Sequence, residues 1–98
     1  MANRLIWSDR SLTEYDDLIA YLSEHWSEEI ALRVMLEIDH TVLHIQTSPE
    51  HFPFYSKRKK IKRCVASPQT SIYFKVYDDK LEILTIFDNR QNPRKLKL

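Results

Sequence analysis

Six cationic side chains occupy seven positions at Lys57-Arg58-Lys59-Lys60-Ile61-Lys62-Arg63, and a run with the two-residue period of a β-strand follows. Lysine and arginine at this density suit an anion, because phosphate and carboxylate oxygens accept strong charge-assisted hydrogen bonds from them. Lys60, Lys62, Arg63 and, further on, Arg90 are the candidates for contact with a target or a phosphate. Cleaving a phosphodiester through its 2′-hydroxyl demands more. It needs a base for the hydroxyl, a donor for the leaving oxygen and cations for the charge that develops on phosphorus. These side chains supply only the cations. His25, His40, His44 and His51 all precede the basic run, and a lysine acts as base only where crowding among like charges lowers its pKa. No catalytic residue is assigned.

Other chemistry is weaker. His40 and His44 are four apart, a spacing that places two imidazoles on one helical turn, but no further suitably spaced ligand accompanies them. Ordinary surface or partly buried contacts are expected for the histidines, and no metal. The single cysteine, Cys64, rules out an intrachain disulfide framework and a cysteine-rich metal site, and its place in a strand pattern predicts a small buried side chain. With no glycine in the chain there is no glycine-rich phosphate loop. No cofactor is expected.

The elements that must position the cations divide the chain in two. Residues 1 to 56 carry three Lys or Arg against ten Asp or Glu, and residues 57 to 98 carry twelve against four, so a net charge of +1 conceals two halves of opposite sign. That polarity favours an oriented encounter with nucleic acid or an acidic protein. Arg94, Lys95 and Lys97 add charge after the last strand, which can lie beside the Lys60 to Arg63 strand in a three-stranded sheet. At 98 residues the chain supports one domain, 1 to 98, with one hydrophobic core. No apolar run is long enough to cross a bilayer, and the opening Met1 to Trp7 lacks the apolar segment of a signal peptide, so a cytoplasmic location without membrane contact is expected.

Arg4 to Trp7 reads as a short strand. Ser8 as N-cap, with Trp7 and Leu12 as a hydrophobic staple, or Ser11 with Glu14 as a capping box, starts a helix over 12 to 24. Its apolar stripe is Leu12, Tyr15, Leu18, Ile19, Leu22 and Trp26. Ser27, followed by Glu28 and Glu29, starts a second helix over 28 to 46 with a stripe from Ile30 to Ile45, ended by Ser48-Pro49. With almost no linker between them the two form an antiparallel hairpin. Pro49 to Tyr55 is expected to be an ordered crossover that packs its rings on the sheet or helices. From Lys60 the period is two, with strands broken at Ser67-Pro68-Gln69-Thr70 and at Asp78-Asp79. The two aspartates must supply the tight turn that glycine would otherwise make. The near-continuous apolar tract from Leu81 to Phe87 predicts an interior strand. The fold class is α+β: an N-terminal strand, a helix hairpin, then a three-stranded antiparallel meander forming one sheet with that first strand.

This order, with Ile6-Trp7-Ser8, Lys60-Ile61-Lys62-Arg63, Ser71-Ile72-Tyr73-Phe74-Lys75-Val76 and Ile83 to Arg90 followed by Gln91-Asn92-Pro93, resembles the RelE/ParE family of bacterial type II toxins over roughly residues 4 to 94. The resemblance implies a toxin neutralised by a cognate antitoxin. RelE-like members are ribosome-dependent mRNA endonucleases, and Lys60, Lys62 and Arg90 match their paired lysines and late arginine. Ser71 stands where those nucleases carry an arginine, and no tyrosine follows Arg90. The ParE-like branch, whose members poison DNA gyrase or its DNA complex, is the better match. The ribosome and mRNA remain the alternative targets.

Overall fold

The computed structural model describes residues 4–98; the first three residues of the segment read for a signal peptide lie outside this range. Strand β1 (Arg4–Trp7) leads into helix α1 (Asp9–His25), and α2 (Glu28–Thr47) follows after a two-residue break. Ser8 caps α1 by accepting from the Ser11 N–H, and Ser27 caps α2 by accepting from the Ile30 N–H. These caps satisfy amide donors that the first helical turn leaves unpaired. Tyr15 of α1 donates to Asp39 of α2 at 3.3 Å, tying the hairpin together. Burial, then the neighbouring Asp39 charge, pushes the Tyr15 hydroxyl up to about 12. Among the described residues no helix is long and apolar enough to cross a membrane.

The sheet contains β2 (Phe54–Ser56), β3 (Ile61–Ser67), β4 (Thr70–Val76) and β5 (Lys80–Asp88), in the order β1-β5-β4-β3-β2. β1 pairs with β5 in parallel, and the other neighbours are antiparallel. The α+β arrangement expected from the period change is therefore present. β5 is interior, as its apolar tract requires. The crossover differs from expectation: Pro49–His51 forms a 3₁₀ turn, and Phe54–Ser56 adds a fifth strand at the edge of the sheet.

The helices cover one face. Ile38, Val42 and Ile45 of α2 pack on Cys64, Ile72, Phe74, Leu81, Ile83 and Ile86. Cys64 is buried as expected, and burial raises its thiol pKa. A bulge in β5, where Tyr73 opposes Thr85 but Phe74 opposes Ile83, leaves Leu84 as the extra residue. Leu84 and Phe87 thereby reach the opposite face, where they meet Ile61, Tyr73, Leu96 and Leu98. The carboxyl-terminal segment thus folds back over the sheet, held also by Arg10 donating to the Lys95 carbonyl at 3.2 Å.

Glu14 does not complete a capping box. β1 ends at its Trp7–Ile83 pair, so β5 beyond that point has no strand on this side, and the start of α1 takes the strand's place. Ser8 N–H and the Ser11 hydroxyl donate to the Ile83 carbonyl at 3.0 and 3.1 Å, and the Ser8 hydroxyl donates to the Leu84 carbonyl at 2.8 Å. Glu14 Oε1 accepts from the Ile86 N–H at 3.0 Å and the Thr85 hydroxyl at 2.7 Å. The edge is paired through one backbone amide and three side chains. The expected staple does not bury Leu12, which is 47% exposed, because Trp7 packs edge-on against Tyr15 instead. Trp26, read as the end of the α1 stripe, is also exposed.

Candidate functional site

The basic run is split between a turn and a strand. Residues 57 to 60 make the turn between β2 and β3, closed by the Lys60 N–H donating to the Lys57 carbonyl at 3.2 Å. Lys60 has φ of 59°, a left-handed backbone that costs a side chain bearing Cβ about 1 kcal/mol. Asp78 and Asp79, expected to take such a conformation, do not. Among the described residues the positive φ values fall at Lys60 and Lys97.

The turn stands as a ridge between two clefts. On the helix side Lys57, Lys60 and Lys62 line a cleft of about 450 Å³ together with Pro49, Glu50, Phe54 and Val76. On the other side Arg58, Lys59, Lys60 and Lys75 line a cleft of about 660 Å³ with Tyr77 and Leu84 among its walls. Lys60 borders both. Each cleft combines ammonium groups with an aromatic surface, an arrangement that accepts an anion carrying an apolar or planar part.

Lys62 and Arg63, adjacent in β3, point to opposite faces as a strand dictates. Lys62 Nζ donates to the Pro49 carbonyl at 3.0 Å and lies 5.0 Å from the centre of the Phe54 ring. Arg63 Nε donates to the Ser71 hydroxyl at 3.2 Å, and its guanidinium lies 6.0 Å from the Tyr73 ring centre. Tyr55 meets Tyr73 edge-on at 5.0 Å. Burial raises the Tyr73 hydroxyl pKa, with Arg63 pulling it the other way. Although Ser71 carries no charge and is fully buried, a cation from the neighbouring strand sits against it.

Arg90 is elsewhere. Its guanidinium donates to both carboxylate oxygens of Asp88, at 3.0 and 2.8 Å, and its N–H to one of them at 2.9 Å. Those side-chain bonds, aided by the backbone bond and opposed by burial, hold the Asp88 pKa below its ordinary 3.8. The expectation that the last strand can lie beside the Lys60 to Arg63 strand is corrected, because β4 separates β5 from β3. Asp88 pairs with Thr70 and Thr70 with Ser67, whereas Lys60 and Lys62 flank Ile61 at the other end of β3. Six residues of strand separate the two ends, about 20 Å. Lys60 and Lys62 share a cleft, Arg63 opens onto the other face, and Arg90 belongs to the far end.

The neighbours that complete these clefts were not identified from the sequence. Phe54 and Tyr55 belong to the segment expected as a crossover, although their alternation into Ser56 ahead of the basic turn is a strand signal. Lys75 was visible as an alternating strand residue, but only the β3–β4 register brings it opposite Ile61. No group of three or more His, Cys, Asp or Glu is placed to hold a metal ion among the described residues.

No protein-family model and no curated protein matches the sequence. Solved structures do match. A chain of the chromosomal ParDE TA system from P. aeruginosa superposes with a TM-score of 0.77 at 18% identity, covering 89% of this chain and 96% of that one. The YoeB/ParE toxin from Agrobacterium tumefaciens gives 0.63 at 12% identity, covering 88% and 98%. A chain of the E. coli DinJ-YafQ toxin-antitoxin complex gives 0.63 at 9% identity, covering 90% and 93%. Strand order, helix hairpin and sheet together establish that this chain has the RelE/ParE toxin fold.

Proposed function

We propose that the protein is the toxin of a type II toxin–antitoxin pair, of the ParE-like branch, and that it inhibits growth in the cytoplasm by binding DNA gyrase or the gyrase–DNA complex. The observation that carries this reading is the spread of the cations. Lys60 and Lys62 open into one cleft, Arg63 faces the other side, and Arg90 is bound to Asp88 about 20 Å along the sheet. Such a surface suits contact with an extended anionic partner better than it surrounds a single scissile phosphate. The superposition on the ParDE chain supports the same branch.

A cognate antitoxin is the second partner. Leu32, Leu36 and Leu43, each more than half exposed, form an apolar stripe along the outer side of α2. An acidic, amphipathic antitoxin segment would use that stripe for residence time and the basic ridge for encounter. Affinity for the product of the adjacent gene should therefore fall with added salt.

One observation favours the alternative, a RelE-like ribosome-dependent mRNA endonuclease. The Arg63 guanidinium against Ser71 puts positive charge where the nuclease arginine would stand. A gyrase supercoiling assay beside a purified ribosome cleavage assay separates the two. Wild type should inhibit supercoiling and leave ribosome-bound mRNA uncut, and Lys60→Ala or Lys62→Ala should each weaken inhibition about tenfold, the loss of one charge-assisted hydrogen bond. Cleavage of mRNA by wild type, abolished by the same substitutions, would overturn the gyrase reading.

A further inference from the structure

His44 and His51 come from different elements and meet at the carboxyl end of α2. His44 Nε2 stands 3.4 Å from His51 Nδ1, and the two rings are 5.6 Å apart with planes at 79°. The arrangement is set from the core outward. The His44 ring packs on Phe52 at 5.0 Å, Phe52 packs on the fully buried Phe74 at 5.8 Å, and the His51 N–H donates to the Ser48 carbonyl at 3.1 Å.

Two imidazole nitrogens bound to one tetrahedral zinc ion, each at about 2.0–2.1 Å, stand about 3.3–3.4 Å apart. The pair already has that separation. The same distance allows a long hydrogen bond between the rings, and an ion replaces it once the donor ring moves its proton to its outer nitrogen, so that both facing nitrogens present lone pairs. His44 also lies in the last turn of α2, where the negative end of the helix dipole favours a cation.

We propose that His44 and His51 form a two-histidine site for a borderline divalent transition ion, represented by Zn²⁺, with water completing its shell. The sequence pairs His44 with His40, one helical turn away, but His44 Nε2 faces His51 instead. A bound ion ties the 49–51 turn to α2. Because the Pro49 carbonyl accepts from Lys62 Nζ, it also steadies the segment against which a candidate target-binding lysine rests.

Calorimetric titration of the full chain with ZnCl₂, together with amide chemical-shift mapping, tests the site. The expected result is one ion per chain, with shifts concentrated at His44 and residues 49 to 52. His44→Gln and His51→Gln should each lower the affinity by about tenfold or more, and His40→Gln and His25→Gln should leave it within about twofold. Both ligand histidines are exposed, so metal-free melting temperatures equal to wild type assign the loss to the ligand atoms. Absence of binding at about 1 mM zinc, binding that survives His51→Gln, or binding lost in His40→Gln overturns the proposal.

Discussion

Replacing Glu14 by alanine removes the acceptor that closes the edge of β5. One carboxylate oxygen, Oε1, takes the Ile86 N–H at 3.0 Å and the Thr85 hydroxyl at 2.7 Å, while Oε2 takes Arg10 Nε at 3.2 Å and shares the Thr85 hydroxyl at 2.9 Å. Thr85 is fully buried, and the Glu14 side chain is 28% exposed, which lets some water reach the vacated position. A hydrogen bond to a charged acceptor contributes about 1.5–3 kcal/mol, and two donors lose theirs with partial replacement by water, so Glu14→Ala should cost about 2–3 kcal/mol. In a domain of this size that lowers the melting temperature by about 10–20 °C. Glu14→Gln keeps an amide oxygen for both donors and loses the charge, the Arg10 contact and the second acceptor of the Thr85 hydroxyl, so about 1 kcal/mol is expected. Thr85→Val should be costly alone but nearly free in the Glu14→Ala background, a coupling of about 1 kcal/mol. Urea unfolding followed by far-ultraviolet circular dichroism reads the four variants beside wild type. A Glu14→Ala stability within about 0.5 kcal/mol of wild type, a Gln variant as damaged as the Ala variant, or additive single effects would refute the assignment.

Lys60→Gly relieves the left-handed backbone and should raise stability by about 1 kcal/mol in the same urea assay while weakening the supercoiling inhibition proposed above, so one substitution separates backbone strain from charge. The Asp88 carboxyl lies below its ordinary 3.8 in the folded state through its bonds from Arg90, so on acidification the unfolded chain takes up that proton first. This contribution to stability is complete above the ordinary carboxylate value and is lost as pH falls through the depressed one. The melting temperature of Asp88→Asn should therefore fall less steeply than that of wild type below about pH 4, and parallel curves would disprove the linkage.

The local periods of the sequence determined the two helices and four of the five strands, because a helix face repeats at three and four residues and a strand face at two, whatever they pack against; three-residue β2 is too short for a period to decide. Ser8 and Ser27 were legible as caps for the same reason, since a cap bonds to amides two or three residues away. What lay beyond the sequence was each choice between distant partners. Ser11 and Glu14 have capping-box spacing, yet β1 stops short along β5, and Glu14 bonds to Thr85 and Ile86, about seventy residues on. His40 and His44 have helical ligand spacing, yet the turn after α2 turns His44 toward His51. Lys60, Lys62 and Arg90 look like one site in a linear reading, yet strand order places β4 between β3 and β5 and the register sets Arg90 at the far end. Periodicity fixes which way a side chain leaves its own backbone. Strand order, register and the bulge at Leu84 decide what it meets, and these depend on hydrogen-bond ladders and packing between segments that the sequence does not place side by side.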